Sequence, residues 1–366
     1  MKTTCTRENL KKALNLTSRV VGGSSALPIL NNLLLKTETG QLAISSTNLE
    51  IATRARVGGQ IDEQGELTVP AKTLADFVNN MADERISLET RGNDLLIKTD
   101  SSESVLKGLP AEEFPLIPEI KPTAATAMKS AILGEGLSQV AFATAVSETQ
   151  PELAGVLFHF EGKELRLAAT DRYRLAERLL ETDRAVKQTF KIIVPNRAVS
   201  ELGRILSLDN GTVEIQISEN QILFQTTGAE LISRLIEGQY VPYQEIVPKT
   251  FSTNIVVSTE EFISAIKLSG LFVADSNNID LEISRDNQNI TIRSSSQKFG
   301  TNTTHTKAEV EGENNRIVFN YRYVLDCLTR LNSEKTVLKV VNSSSPAMLG
   351  PWKKEGYLYL VMPIKV

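Results

Sequence analysis

The chain has 366 residues, 41% apolar and 23% charged, with a formal net charge of −4 at pH 7. That length exceeds one ordinary core and predicts two or three domains of roughly 100–200 residues, and the aliphatic content excludes general disorder. No apolar run approaches the ~18 residues of a membrane helix, and Cys5, Cys327, His159 and His305 lie too far apart for a disulfide framework or a cysteine-rich metal site.

In chain order, no apolar stretch follows Lys2, so no signal peptide is expected and the chain reads as cytoplasmic. An amphipathic helix is predicted over Glu8–Val21, with Leu10, Ala13, Leu14 and Val21 on one face. Alternating strands follow at 32–36 and 41–45 around the turn Glu38-Thr-Gly40, then a second helix over 69–81 and a strand at 94–99. A proline-rich joint at 109–118 precedes a helix over Met128–Val146, strands at 155–159 and 164–168, a helix over 194–206 and a strand at 221–226. A second joint at 240–248 leads to a helix over Thr259–Phe272 with Ser258 as N-cap, strands at 280–284 and 289–293, and a helix over 319–331. The chain closes on an apolar strand at 357–361, with Met362, Pro363 and Ile364 beyond it.

Three of these helices align without gaps at a spacing of 125 residues, beginning at Val69, Val194 and Phe319. Their apolar columns are Leu74/Val199/Val324, Phe77/Leu202/Cys327 and Met81/Leu206/Leu331, which is one helical face. Pro70 and Pro195 are expected in the first helical turn. The order helix, strands, helix, strands recurs in each unit. This predicts an α+β chain of three repeated domains, 1–120, 121–250 and 251–366, each with two helices packed on antiparallel sheets. Repetition alone favours a duplicated scaffold.

Charge is unevenly distributed. With Arg7, just before the first helix, eleven basic and seven acidic side chains belong to the predicted helices, which are therefore net positive on an acidic chain. Lys72, Arg197 and Arg322 share one column of the repeat, pointing away from the apolar face. Such a column suits a polyanion bound through its backbone, and it equally suits ordinary solvated helix faces.

Catalytic signatures are missing: there is no GxGxxG, Walker A, GxSxG or HExxH pattern. Neither histidine has a neighbour that suggests a triad, and no cofactor or metal is expected. The densest polar cluster is Asp171-Arg-Tyr-Arg-Leu175, and the apolar segment at 362–364 suits a peptide-binding groove.

Taken together, Leu27-Pro-Ile-Leu30, Thr47-Asn-Leu-Glu50, Leu109-Pro-Ala-Glu-Glu-Phe-Pro115, Ala169-Thr-Asp-Arg-Tyr-Arg-Leu-Ala176, Phe319-Asn320 with Tyr323-Val-Leu-Asp326, and Val361-Met-Pro-Ile-Lys-Val366 resemble the bacterial DNA polymerase III beta subunit, the sliding-clamp family, in order and spacing along the whole chain. The resemblance implies the DNA clamp fold and a head-to-tail homodimeric ring around duplex DNA, without enzymatic activity. It implies a pocket for peptides of the polymerase III catalytic subunit, the clamp loader and other proteins carrying a clamp-binding motif. Carried over, that pocket comprises Leu153, Thr170, Tyr173, Arg174, Leu175, Pro242, Ile246, Asn320, Tyr323, Leu360 and Met362, with Pro363 and Ile364 nearby. DNA-facing candidates are Arg7, Lys11, Lys12, Arg19, Lys72, Arg197, Arg204, Lys267 and Arg322; subunit-contact candidates are Leu74, Leu106, Leu271 and Phe272. Replacing Leu175 and Met362 together by alanine is expected to weaken peptides and leave the ring intact. Two family loops read Gly22-Gly-Ser-Ser25 and Ser147-Glu-Thr-Gln-Pro-Glu152 here, without the basic or aromatic DNA-touching residues they can carry. Arg172 stands where the family often has glycine, and Pro242 is displaced by one position.

Overall fold

The structure is a computed structural model that describes residues 1–21, 27–146, 149–273 and 277–365. The first family loop and the start of the second, residues 147–148, therefore lie outside the described residues. Among the described residues there are six α-helices: α1 (Arg7–Thr17), α2 (Ala71–Asn80), α3 (Ser130–Val140), α4 (Asn196–Ser207), α5 (Thr259–Gly270) and α6 (Tyr321–Leu328). The predicted apolar positions Leu10, Ala13 and Leu14 of α1 and Val199, Leu202 and Leu206 of α4 are buried. On α2 only Leu74 of the predicted column is; Phe77 is half-buried and Met81 lies past the helix end. Ser258 caps α5 by accepting the Glu261 amide at 3.4 Å.

Boundaries differ from the sequence expectation where strands win. Met128 and Lys129 are not helical, because they pair with Val213 and Thr212 in a strand; backbone pairing overrides local helix preference. Val146 lies past the end of α3 and is exposed, and Val21 lies past the end of α1. Pro70 and Pro195 end the preceding strands rather than opening the helices.

The chain gathers into two compact units. The first holds residues 1–134, 182–188 and 197–235 and contains two sheets. Its five-stranded sheet runs β5 (Gln60–Glu63), β1 (Lys2–Thr6), β7 (Arg85–Arg91), β8 (Asp94–Lys98), β9 (Glu103–Lys107). Its eight-stranded sheet runs β10 (Ala124–Lys129), β15 (Thr212–Ile217), β16 (Gln221–Gln225), β17 (Ala229–Arg234), β4 (Ile51–Gly58), β3 (Gln41–Thr47), β2 (Asn32–Glu38), β6 (Glu66–Pro70). The β17–β4 pairing, Ala229 opposite Ala55, joins strands of the first and second sequence repeats. Arg56 of β4 reinforces it through Glu230 of β17 at 2.6 Å.

The second unit holds residues 135–181, 189–196 and 236–366 and carries a twelve-stranded sheet. Its order is β14 (Phe190–Pro195), β11 (Gly155–Glu161), β12 (Glu164–Thr170), β13 (Arg174–Glu181), β25 (Tyr357–Val361), β24 (Ala347–Pro351), β23 (Lys335–Val340), β18 (Thr253–Ser258), β21 (Gly300–Gly312), β20 (Asn289–Ser296), β19 (Asn278–Ser284), β22 (Asn315–Asn320). Here β13 pairs with β25, Leu175 opposite Leu360, so strands of the second and third repeats share a ladder. The middle repeat is thus shared between the two units. Pairing edge strands across repeats removes open edges that would otherwise recruit other chains.

Among the described residues several strands pair on one side only, β5, β10 and β22 among them. β9 likewise pairs only with β8, and the stretch 300–307 of β21 pairs only with β20.

Candidate functional site

The second unit builds an ionic cluster around Arg174. Thr170 ends β12, and its hydroxyl donates to the Arg174 carbonyl at 2.7 Å while accepting the Arg172 amide at 3.1 Å. Asp171 accepts the amides of Tyr173 and Arg174, both at 3.0 Å. This tight reversal places Arg172 at φ 76° and feeds Arg174 into β13. Short Asp and Thr side chains suit such a turn because they bond to backbone two residues on.

The Arg174 guanidinium is 12% exposed and forks between Asp171 at 2.9 Å and Asp326 of α6 at 2.5 Å. It lies 4.5 Å from the Tyr323 ring centroid and 5.4 Å from that of Phe142. Arg330 stacks on Phe142 from 4.6 Å and donates to the Asp326 carbonyl at 2.7 Å. Burial works against the Arg174 charge. The hydrogen bond to Asp326, followed by the fields of Tyr359 and Asp171, outweighs it, so the pKa rises above the ordinary arginine value. Tyr323 is raised as well, by burial first and then by the Asp171 charge.

Beside this ionic cluster lies an apolar floor of Leu157, Ala168, Leu175, Tyr243 and Leu360. Tyr243 donates its hydroxyl to Glu177, and burial followed by that bond pushes its pKa well up. Above the floor the Met362 amide donates to the Tyr173 carbonyl at 2.8 Å, extending the β13–β25 ladder past its formal end. The Ile364 amide donates to the Val318 carbonyl at 2.8 Å and fastens the segment to β22. Tyr173 (63% exposed), Ile246 (51%) and Met362 (37%) leave apolar surface open. The arrangement offers a dry floor, an exposed aromatic and thioether rim, and no nucleophile–base pair; it suits binding rather than bond-making.

The expected pocket residues divide accordingly. Thr170, Leu175 and Leu360 are buried, and Tyr173, Ile246 and Met362 are open. Leu153 is buried in the short turn Pro151–Leu153, outside the floor cluster. Pro242 is exposed and starts the turn Tyr243–Ile246; its neighbour Tyr243 is the residue that enters the floor. Asn320 caps α6 by accepting the Arg322 amide at 3.0 Å, and Pro363 and Ile364 are half-buried. Because Leu175 is buried in the floor, its alanine substitution is expected to cost folding stability in addition to weakening peptides.

The basic residues also divide. Lys72, Arg197 and Arg322 are exposed and are each the second residue of their helix, α2, α4 and α6. Lys12, Arg19 and Lys267 are exposed, and Lys11 is half-buried. Arg7 and Arg204 correct the expectation. Arg7 donates to the carbonyls of Val78 and Asn79 at 3.1 and 2.9 Å, at the end of α2. Arg204 donates to those of Asn15 and Leu16 at 2.6 and 2.9 Å, at the end of α1, and pairs with Glu201. Both guanidinia are occupied by the negative ends of helices, where orphan carbonyls need donors.

Of the subunit-contact candidates, Leu106 is half-buried on the open strand β9, Leu271 is exposed after α5, and Phe272 is half-buried. Leu74 is fully buried inside α2's own core, so its side chain is unavailable to a second copy. Val105, Leu268 and Phe299 are exposed apolar residues that sequence reading missed.

Three family descriptions match in succession: the DNA polymerase III beta subunit N-terminal domain over 1–118, its central domain over 127–242 and its C-terminal domain over 244–365. A beta sliding clamp of Synechococcus elongatus is 30% identical over 373 residues, covering 100% of both chains. The chain belongs to the DNA polymerase III beta subunit family. Another beta sliding clamp, from Staphylococcus epidermidis, is 27% identical and covers 100% of this chain and 99% of its own. Among solved structures, the DNA polymerase III subunit beta of Pseudomonas aeruginosa superposes with a TM-score of 0.95 at 28% identity, covering 100% of both chains. The Thermotoga maritima beta subunit gives 0.93 at 26%, over 100% of this chain and 99% of that one.

Within this family member, the residues missed by sequence reading are Phe142 and Arg330 as stacking partners and Asp326 as the clamp on Arg174. A signal was present: Tyr323, Asp326 and Arg330 follow the three- and four-residue spacing of one helix face. No helix among the described residues is long and apolar enough to cross a membrane, and no cluster of three metal-ligating side chains occurs among them.

Proposed function

We propose that this chain is a non-enzymatic sliding clamp. Two copies associate head to tail into a ring around duplex DNA, and the pocket beside Arg174 tethers peptides of the polymerase III catalytic subunit, the clamp loader and other clamp-binding proteins in the cytoplasm. The sequence repeats set domain boundaries near 120 and 250. The pocket occupies the second and third of these domains, with Tyr173, Ile246 and Met362 as its open rim.

The observation that carries the reading is the cation at the second position of α2, α4 and α6. A lysine or arginine there faces the positive end of the helix dipole, where a structural role would favour an acid. Three copies of an unfavourable placement suit an external anion, since helix N-termini and cations attract phosphate together. Such interactions neutralise backbone charge without reading bases, and enclosure lets them stay weak. Replacing Lys72, Arg197 and Arg322 together by alanine is expected to lower the slope of log affinity against log salt by about 0.9 for each phosphate left without its cation. Thermal stability should rise slightly. An unchanged slope would remove these residues from the DNA surface.

Ring closure is assigned to two of the open edges, β9 and the 300–307 stretch of β21, because exposed apolar residues lie on or near them. β9 offers Val105 and Leu106, and the open stretch of β21 lies beside the C-terminal end of α5, where Ser269 bonds Asn302 at 3.1 Å. Leu268, Leu271 and Phe299 are exposed in the same unit. Two different patches on each copy make a heterologous contact, which yields a ring when the rotation closes. Sedimentation equilibrium should therefore give twice the 40.2 kDa chain mass, held on dilution to nanomolar concentration. A monomer at micromolar concentration would favour a repeated scaffold that never encloses DNA.

A further inference from the structure

Arg172 stands out in the second unit. Among the described residues it is one of five non-glycine residues with positive φ, at 76°, a backbone region that side chains with a Cβ disfavour and glycine occupies freely. The turn holds it there through the Thr170 hydroxyl and the Asp171 carboxylate. Its side chain is exposed, and among the described residues its guanidinium has no ion-pair partner. The neighbouring charges are already matched: Asp171 is bound to Arg174, and Arg174 also to Asp326. Its next neighbour is Tyr173, the residue whose carbonyl holds Met362 at the pocket rim. An exposed cation, unpaired among the described residues, thus stands one residue before Tyr173, in a position where the backbone alone would prefer glycine.

We infer that Arg172 is a specificity-determining residue that selects partner peptides carrying an acidic side chain beside their apolar anchors. This rests on the peptide-pocket reading above. An arginine fork takes a carboxylate in two parallel hydrogen bonds. At an exposed rim such a pair contributes modestly to affinity and more to the choice of partner. The apolar floor accepts many anchors, so a charged rim residue is the part that discriminates among them.

The test uses fluorescein-labelled decapeptides with leucine and phenylalanine anchors, identical except that each flanking position in turn is Asp, Asn or Lys. Anisotropy titrations compare the intact protein with Arg172→Gly and Arg172→Gln. At low salt the intact protein should bind one Asp peptide about 3-fold tighter than its Asn counterpart and should disfavour Lys there. Both variants should lose that ratio, as should the intact protein at about 0.5 M salt. Arg172→Gly should also melt a few degrees higher, because the turn is no longer strained. That rise shows that the lost preference is not a folding defect. Equal binding of Asp and Asn peptides at every position would overturn the inference and leave the pocket standing. If no anchored peptide binds the intact dimer, the pocket reading itself fails and takes the inference with it.

Discussion

Arg174→Ala is expected to cost about 3 kcal/mol of stability and more than roughly tenfold in partner-peptide affinity. The guanidinium is nearly enclosed, and its removal leaves Asp171, 14% exposed, as a carboxylate without its cation. Asp326 retains Arg330 at 3.6 Å, so the damage concentrates at the 170–174 turn. Tyr323 also loses the cation that stacks on its ring from 4.5 Å, which loosens one side of the pocket. Arg174→Lys keeps the charge but not the planar fork, and should recover only a minor part of either loss. Asp326→Ala should cost less, because that carboxylate is partly exposed and Arg174 keeps Asp171. Urea melts and peptide anisotropy on the three variants give the order directly. Wild-type stability and affinity in Arg174→Ala would mean that the fork neither supports the turn nor shapes the pocket.

Tyr173→Ala combined with Met362→Ala should weaken anchored peptides by about 30-fold or more while moving the melting temperature little. Aromatic and thioether side chains that a bound peptide covers supply a large part of the binding energy of an apolar site, and exposed substitutions usually change stability by less than about 0.5 kcal/mol. Both backbones stay in place, so the Met362–Tyr173 hydrogen bond survives. Leu175→Ala is the informative contrast: it removes a floor side chain and should cost about 2–5 kcal/mol of folding stability. Peptide affinity unchanged in the Tyr173/Met362 variant would place the pocket elsewhere.

Much of the fold was legible because helix and strand periods are local. All six helices lie where the apolar stripes put them, and the repeated basic column falls at the second residue of three of them. Many strands were not legible, β1 and β10 among them. β1 reads Lys-Thr-Thr-Cys-Thr and β10 reads Ala-Ala-Thr-Ala-Met-Lys, short segments whose partners lie far along the chain, Ser87 opposite Thr4 and Ile215 opposite Thr126. The ladders that merge neighbouring repeats were illegible for the same reason, since nothing in the sequence near Ala229 specifies Ala55.

The motif residues nominated a candidate site, while the bonds that hold it together were not legible. The resemblance nominated Arg174 as a pocket residue without revealing that Asp326 and Phe142 hold it, because those side chains come from segments well separated along the chain. Two arginines counted as DNA-facing proved to cap helix ends, a role fixed only by where α1 and α2 stop. Leu74 shows the same limit: helical spacing marks a residue as apolar and inward, and burial decides whether a second copy can reach it.

The central claim is topological, so its most direct test is retention on DNA of different shape. The labelled protein is loaded onto nicked circular DNA by a clamp loader and isolated by gel filtration. The circle is then cut once with a restriction enzyme, at a salt concentration that suppresses ordinary phosphate binding. A closed ring should remain with the circle and leave once ends exist. Retention that does not change on linearisation would mean that the chain holds DNA by surface attraction alone, and would contradict enclosure.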